Sequence, residues 1–544
     1  MRLVFVNDLN WIKRNKPKST FVYCSTEIEV IHQLKANNYK VFNLFEENVI
    51  TKWNHIPSEA FKLAKLLSNI FVSEQFLDYD IRFCAVLVSR AEEISNRLIR
   101  CGIKELIVIG LSDRIIIRTT GKPFNINANN IVLRRIIQIL RSHNVNVKIT
   151  KNRLRFTHLK NAKHRLNEFR ILFNQLRLLK KNSKTIIIND LMYSSEIKAV
   201  YSKNNKDISE INLNALSIYL YFKIHLNILD FHNFNKKFKQ ISDDSNIKEV
   251  LDILCNNLRA ITLEVRKANK VHAFLKRKFK KLQNVYLGHD GFTLESYLSM
   301  AFYSEKINIY SFPHYGVGSK FSFNGITNNY STKLIWNSES VNFIKSTDDK
   351  PLNFQSESSP RFNKSDHPRI NNLKFNNKNK GNLLILTAQP NLSLYDFNID
   401  PTKYIDEFEE LISNLENQFQ IQIRNHPSFD NYSLFKYYES NYPSIKICND
   451  HSIKTIIKDT PVCIMFNYNS TACLECIANG SIVISYYSNH QIHKIENSNV
   501  YESGIKFFDN IIDMVNFLSN LDVNLFHNIL KEQTDFYNRF TQNH

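Results

Sequence analysis

With 544 residues, 43% of them hydrophobic and 12% aromatic, the chain carries too much apolar material for a disordered protein and is too long for one core, so two large domains are expected. A net charge of +20 directs it toward anionic partners: nucleic acid, anionic phospholipid or phosphorylated substrates. The sequence contains no run of about 18 apolar residues, which argues against a membrane-spanning helix, and its eight cysteines are scattered. The closest pair, Cys473 and Cys476, falls inside one expected helix with no second pair to complete a zinc site, so buried free thiols are expected.

The first residues, MRLVFVNDLNWIKRNK, read as a strand rather than a signal peptide, and the chain is therefore expected to stay in the cytoplasm. Short apolar runs bounded by polar or Gly punctuation follow as RLVFV, STFVYC, YKVFNLF, IRFCAVLVS and ELIVIG, all expected as strands in a βαβ rhythm. From about 131 to 181 the pattern changes to long basic amphipathic helices, as in RLRFTHLKNAKHRLNEFRILFNQLRLLKK. Strands are expected again at TIIIND, NVYLGHDG, INIYSFPHYG and TKLIWNS. Residues 1–345 thus read as one N-terminal, acceptor-side Rossmann-like domain with a helical insertion at about 131–181.

Residues 346–381 are polar, rich in Ser, Asn and Pro, and read as a linker. Residues 382–544 form a second βαβ series, with strands at NLLILTAQ, FQIQIRNH, SIKIC, VCIMFN and SIVISYY, helices such as YIDEFEELISNLEN, and a closing helix over 523–540. The fold class expected is α/β, with two Rossmann-like domains, a cleft between them and a C-terminal helix.

The chemistry-bearing residues follow strand ends, where open α/β sheets bind ligands. In IQIRNHPSF the strand gives way to Arg424, Asn425, His426 and Pro427. Proline biases the residue before it toward an extended conformation, which would hold the His426 imidazole at a crevice mouth. Histidine and arginine there suit a phosphate or pyrophosphate, as donors or by protonating a departing phosphate. In CIMFNYNSTACLECIANGSIVI, Asn469, Ser470 and Thr471 open a helix running to about Asn479, with Gly480 as its stop. Their hydroxyls and the free N–H groups of the first turn make an anion site, or serve only as N-caps. Glu475, one turn on, is placed to accept hydrogen bonds from ribose hydroxyls.

Gln389 and Pro390 follow the first strand of the second series. In the first domain NVYLGHDGFTLES carries His289, Asp290 and Gly291, and IYSFPHYGVGS carries His314, Gly316 and Gly318. A carboxylate or imidazole there would take a proton from an acceptor hydroxyl, worth roughly 10²- to 10⁴-fold in rate, whereas HDG alone is also an ordinary tight turn. The basic stretch FLKRKFKKL, 274–282, offers either a solvated helix face or a contact for an anionic leaflet, through Phe274, Leu275, Phe279, Leu282 and their neighbouring cations.

Two Rossmann-like halves, a linker and a closing helix are the outline of the GT-B glycosyltransferases. The motifs resemble bacterial GT-B transferases of surface polysaccharide assembly that use CMP-activated sugar acids, such as capsular Kdo transferases and sialyl- or pseudaminyltransferases. Gln389-Pro390 looks like the Gln-Pro motif of the Kdo enzymes, Arg424-Asn425-His426-Pro427 like the shared His-Pro motif, and Asn469-Ser470-Thr471 with Glu475 like the Ser/Thr phosphate segment. His289-Asp290-Gly291 is similar to a paired-acid motif, with histidine in the first acidic position; the base is accordingly open between Asp290, His289 and His314. The resemblance covers about the last third of the chain and short islands before it.

It implies transfer of a sugar acid from a CMP-sugar, as co-substrate, to a glycan or lipid-linked glycan in capsule or lipopolysaccharide synthesis, with no metal and no cofactor. His426 would assist departure of the phosphate held by Ser470 and Thr471, and Asp290 would activate the acceptor. The cytoplasmic chain would contact the anionic inner membrane peripherally. A CDP-glycerol or CDP-ribitol phosphotransferase of the teichoic-acid type, using His314 and His426, is the alternative enzyme. A basic nucleic-acid-binding protein is the alternative from another class, although no recognisable reading module is present and no specific nucleic acid is expected.

Overall fold

A computed structural model describes residues 2–15, 17–44, 77–111, 124–151, 183–189, 208–212, 216, 267–287, 293–311, 331–335, 353–356, 375, 381–387, 401–425, 432–448, 453–467, 472–488 and 504–541. Within them the chain is α/β and carries three sheets, in which every described strand pairing is parallel.

The first sheet takes β1 (Arg2–Val6), β2 (Val22–Cys24), β3 (Glu105–Leu111) and β4 (Asn146–Lys151) in the order β2-β1-β3-β4. Its helices are α1 (Leu9–Arg14), α2 (Ile28–Ala36), α3 (Leu77–Arg100) and α4 (Phe124–Ser142). Three expectations change here, the first being that YKVFNLF, expected as a strand, contributes only an isolated bridge of Val41 with Tyr23 over its described residues. IRFCAVLVS lies inside α3 rather than in a strand, because the buried positions Leu87, Ala91, Ile94 and Leu98 continue beyond it at helical spacing. Of the expected helical insertion, 131–142 completes α4 while 146–151 is β4, paired with β3; residues 152–181 lie outside the described residues.

The second sheet takes β5 (Thr185–Asn189), β6 (Ile208–Asn212), β7 (Asn284–Leu287), β8 (Asn308–Ser311), β9 (Thr332–Ile335) and β10 (Phe354–Ser356), ordered β10-β9-β8-β7-β5-β6. Helix α5 (Thr293–Tyr303) connects β7 to β8. Residues 1–345 therefore hold two sheets, and the stretch expected as linker supplies the edge strand β10 and the buried Phe375, stacked on Phe526 at 4.8 Å. The helical residues 267–278 bury Ala268, Val271 and Leu275, and Phe279 after them is buried as well. Of the apolar face expected to meet a leaflet, Leu275 and Phe279 are buried in the core while Phe274 and Leu282 are half-buried, and Lys270, Lys276, Arg277, Lys280 and Lys281 point outward.

The third sheet takes β11 (Asn382–Thr387), β12 (Gln420–Asn425), β13 (Ile445–Ile447), β14 (Val462–Phe466), β15 (Ile482–Tyr486) and β16 (Lys506–Phe508), ordered β13-β12-β11-β14-β15-β16. Its helices are α6 (Pro401–Leu415), α7 (Tyr432–Asn441), α8 (Ile453–Ile456), α9 (Ala472–Ala478), α10 (Ile511–Ser519) and α11 (Val523–Thr541). β14 and β15 are buried on both faces, as central strands of a doubly covered sheet must be. Ile385, Ile423 and Ile464 face a layer containing α6, α7 and α10, while Leu384, Cys463 and Met465 face α8 and α9. α11 contributes Phe526, Ile529 and Leu530 to the first layer and Phe536 and Tyr537 to the second. Ile28 and Ile31 of α2 join the first layer, and Lys35 pairs with Asp406 of α6. Gly480 ends α9 with φ +80, as expected of its stop.

Candidate functional site at the carboxyl edge of the third sheet

Numbered along their own segment, the strands of the third sheet run 3-2-1-4-5-6, the order of a doubly wound nucleotide-binding sheet. The order reverses between β11 and β14, and ligands bind such sheets at that point, beyond the carboxyl ends. Thr387, the last residue of β11, pairs with both Asn425 and Phe466, so β11, β12 and β14 end in one row. In sequence, Gln389 comes two residues after Thr387, His426 directly after Asn425, and Asn469 three residues after Phe466. Gln389, His426, Pro427, Asn469, Ser470 and Thr471 lie outside the described residues. Arg424, Asn425 and Glu475 are described.

Arg424 and Asn425 are successive strand residues and point to opposite faces. Arg424 lies on the face of Leu386 and Met465, toward α9. The Cys476 thiol of α9 is pushed up by its hydrogen bond with Cys463 and by burial, and the Arg424 charge opposes that shift. Cys448, just past β13, is pushed up by burial and held back by Lys446 and Arg424. The guanidinium therefore acts on both the end of β13 and the helix that follows β14, a location suited to an anion at the sheet edge. Glu475 is buried in α9 at 3% exposure, and its charge raises the Cys473 and Cys476 thiols. Asn425 is buried on the other face, where Thr387 is hydrogen-bonded to the buried Tyr404.

On that face lies a polar group that the sequence reading missed. The Glu407 carboxylate of α6 accepts from Ser488 Oγ at 2.7 Å and from Asn467 Nδ2 at 3.5 Å, with Lys403 Nζ 3.8 Å away and the Tyr486 hydroxyl also hydrogen-bonded. Asn467, directly after β14, sits at φ +52, takes the Ser488 amide on Oδ1 at 2.8 Å and donates its own amide to the Tyr486 carbonyl at 2.8 Å. Burial pushes the Glu407 carboxyl above its usual value, and Ser488, Lys403, Tyr486 and Asn467 pull it back in that order. The signal was present: Glu407 lies three residues after Tyr404 and four before Leu411, on the apolar stripe of α6.

The second sheet runs 2-1-3-4-5-6 along its segment and reverses between β5 and β7. Leu287, which ends β7, pairs with Ser311, which ends β8. His289 and Asp290 follow the first by two and three residues, and His314 follows the second by three; all three lie outside the described residues. A fully buried lysine marks this edge, again unforeseen: Lys333 Nζ donates to Ser331 Oγ at 2.7 Å and Ser311 Oγ at 3.4 Å.

Among the described residues no group of three or more His, Cys, Asp or Glu is placed to hold a metal ion, and no helix is long and apolar enough to cross a membrane. Cys24, Cys101, Cys448, Cys463, Cys473 and Cys476 are free thiols, all buried except Cys101.

No protein-family model and no curated protein matches the chain. Among solved structures it is similar to the crystal structure of Acinetobacter baumannii MurG, at 10% identity over 66% of this chain and 96% of that one, with a TM-score of 0.33. It is also similar to SsfS6, a glycosyltransferase of Streptomyces sp. SF2575, at 8% identity over 51% of this chain and 73% of that one, with a TM-score of 0.27. Likeness at this level leaves the functional reading to the sheet edges described above.

Proposed function

We propose that the chain is a GT-B-type glycosyltransferase that moves a sugar acid from a CMP-sugar to a glycan or lipid-linked glycan. The observation that carries the reading is the row Thr387–Asn425–Phe466 at the reversal of the third sheet, because the segments holding Gln389, His426 and Asn469 to Thr471 all leave from it. A nucleotide phosphate at that edge would meet the N-terminus of α9 and the Arg424 charge, and both favour a dianion. His426 would assist departure of the phosphate, Ser470 and Thr471 would hold it, and Glu475 would serve the ribose.

The base for the acceptor would come from the second sheet, among Asp290, His289 and His314. The exposed cations around 270–281 support peripheral contact with an anionic membrane chiefly through charge, since Leu275 and Phe279 beneath them are buried.

The test is a CMP-release assay on purified protein against CMP-Kdo, CMP-sialic, CMP-pseudaminic and CMP-legionaminic acids, with His426→Ala as control. Turnover of one donor that the variant abolishes is the expected result. Silence on every donor with no CMP binding would overturn it, and turnover of CDP-glycerol or CDP-ribitol instead would assign the phosphotransferase.

A further inference from the structure

We infer that Glu407 is a positioning residue, a buried carboxylate on α6 that clamps Asn467 and Ser488 and thereby fixes the directions in which β14 and β15 leave the sheet at the nucleotide edge. The inference deepens the proposed function and rests on its assignment of that edge.

Two strand exits converge on one side chain. Ser488 is reached from Glu407 through its hydroxyl, and from Asn467 through its amide. Asn467 is held by its side chain to Glu407 and by its amide to the Tyr486 carbonyl. Asn467 adopts a left-handed conformation, which costs a non-glycine residue unless its surroundings hold it there. The carboxylate and the second strand supply those surroundings, and Glu407, Asn467 and Ser488 are all buried.

A carboxylate only accepts hydrogen bonds, so its two oxygens suit the Ser488, Asn467, Tyr486 and Lys403 donors around it. A glutamine of the same shape turns an NH₂ toward one of them and must lose a contact. The direction of the chain just past Phe466 decides where the following residues and the start of α9 stand relative to a phosphate. Glu407 itself lies on the opposite face from Arg424 and would touch no ligand.

The experiment uses the full-length chain and its Glu407→Gln and Ser488→Ala variants, the second removing a single hydroxyl in case the first folds poorly. Hydrogen exchange is followed in peptides covering 462–471 and 482–488, with β11 and β12 peptides as reference, and CMP affinity is measured by calorimetry. Exchange about tenfold faster at the two exits, with the reference peptides unchanged, is expected for Glu407→Gln, and a smaller effect in the same direction for Ser488→Ala. CMP binding about tenfold weaker should accompany it.

Unchanged exchange at the exits, or acceleration spread evenly over the whole sheet, would overturn the clamp. Faster exits with undiminished CMP affinity would overturn its positioning role. If the unaltered chain binds no CMP, the donor assignment fails, and the clamp stands or falls on exchange alone.

Discussion

Gln533 satisfies both backbone hydrogen bonds of Val483: its Oε1 accepts the Val483 amide at 2.8 Å and its Nε2 donates to the Val483 carbonyl at 2.7 Å. Pairing of β15 with β16 begins only at Ile484 and Lys506, so the α11 side chain stands in for a strand residue and also reaches the Gly504 carbonyl at 3.2 Å. Both sites are fully buried. Gln533→Leu would leave the two backbone groups without partners, and each costs about 1–3 kcal/mol when stranded. A fall in unfolding free energy of about 2–5 kcal/mol is expected from denaturant titration. A loss below about 0.5 kcal/mol, the range of ordinary surface changes, would show that water or a backbone shift replaces the amide.

Arg424 is a described cation on the α9 side of the candidate nucleotide edge, and its charge reaches α9. Under the proposed function, Arg424→Ala should weaken CMP binding at least tenfold, equivalent to about 1.4 kcal/mol. Arg424→Lys should recover only part of the loss, because a lysine supplies the charge without the planar fork. Isothermal titration against CMP and cytidine separates phosphate from base contacts: the loss should appear with CMP and not with cytidine. Equal affinities in the wild type and both variants would remove Arg424 from the site.

Much of the third sheet was legible because each strand is a short apolar run ended by a polar residue and each helix carries a complete apolar stripe. The run VCIMF followed by a turn and ACLECIA gave β14 and α9 almost to the residue. What the sequence hid was long-range pairing. Nothing near Gln533 indicates that its amide serves a strand 50 residues earlier, and nothing near Lys333 announces Ser311 as a neighbour. IRFCAVLVS misled because a nine-residue apolar run fits either period, and only the downstream positions of α3 decide between them. Glu407 passed as one acid among several in α6, although its place on the apolar stripe distinguished it. Among the site residues, the sequence placed Arg424 and Asn425 together, while the pleat of β12 sends them to opposite faces.

Gly110 shows where backbone conformation dictates the residue. It lies at φ +89 where the β3–β4 register shifts between Ile109 and Leu111. A Cβ there would stand 2.9 Å from the Asp8 Cβ and 3.1 Å from backbone atoms of Asn7 and Asp8. Asp8 in turn caps α1 by accepting the Asn10 amide at 3.0 Å, so room cannot be made without disturbing that turn. Gly110→Ala should cost about 2–4 kcal/mol, combining left-handed strain with the clash. Gly102→Ala is the control: φ is +67 and nothing lies within 4 Å of the added methyl, so about 1 kcal/mol of backbone strain is expected. Equal losses in the two variants would show that the Asp8 turn yields to the new methyl.

His32 makes docking of α2 sensitive to pH. Its ring is 6% exposed and packs edge-on to Tyr437 at 4.6 Å and near Tyr438 at 5.9 Å, both on α7. Burial lowers its pKa from 6.5 to about 4, and the Lys35 charge adds to the shift. The charged groups around this contact are Lys35, its partner Asp406, and Glu409, which accepts from the Tyr438 hydroxyl. Because the folded pKa lies below the unfolded one, the unfolded chain binds more protons in the interval between them. The neutral ring therefore contributes its stability above pH 6.5, and that contribution is lost progressively as pH falls toward 4, by up to about 3 kcal/mol. His32→Phe keeps the ring and removes the titration. Denaturant titrations at pH 7.5, 6 and 5 should show the wild type losing stability relative to the variant as pH falls, with Lys35→Met leaving a smaller pH dependence. A wild-type-to-variant difference that stays constant across the series would mean that His32 keeps its ordinary pKa in the folded chain, and that α2 is held on α6 and α7 by Ile28 and Ile31 without help from a neutral imidazole.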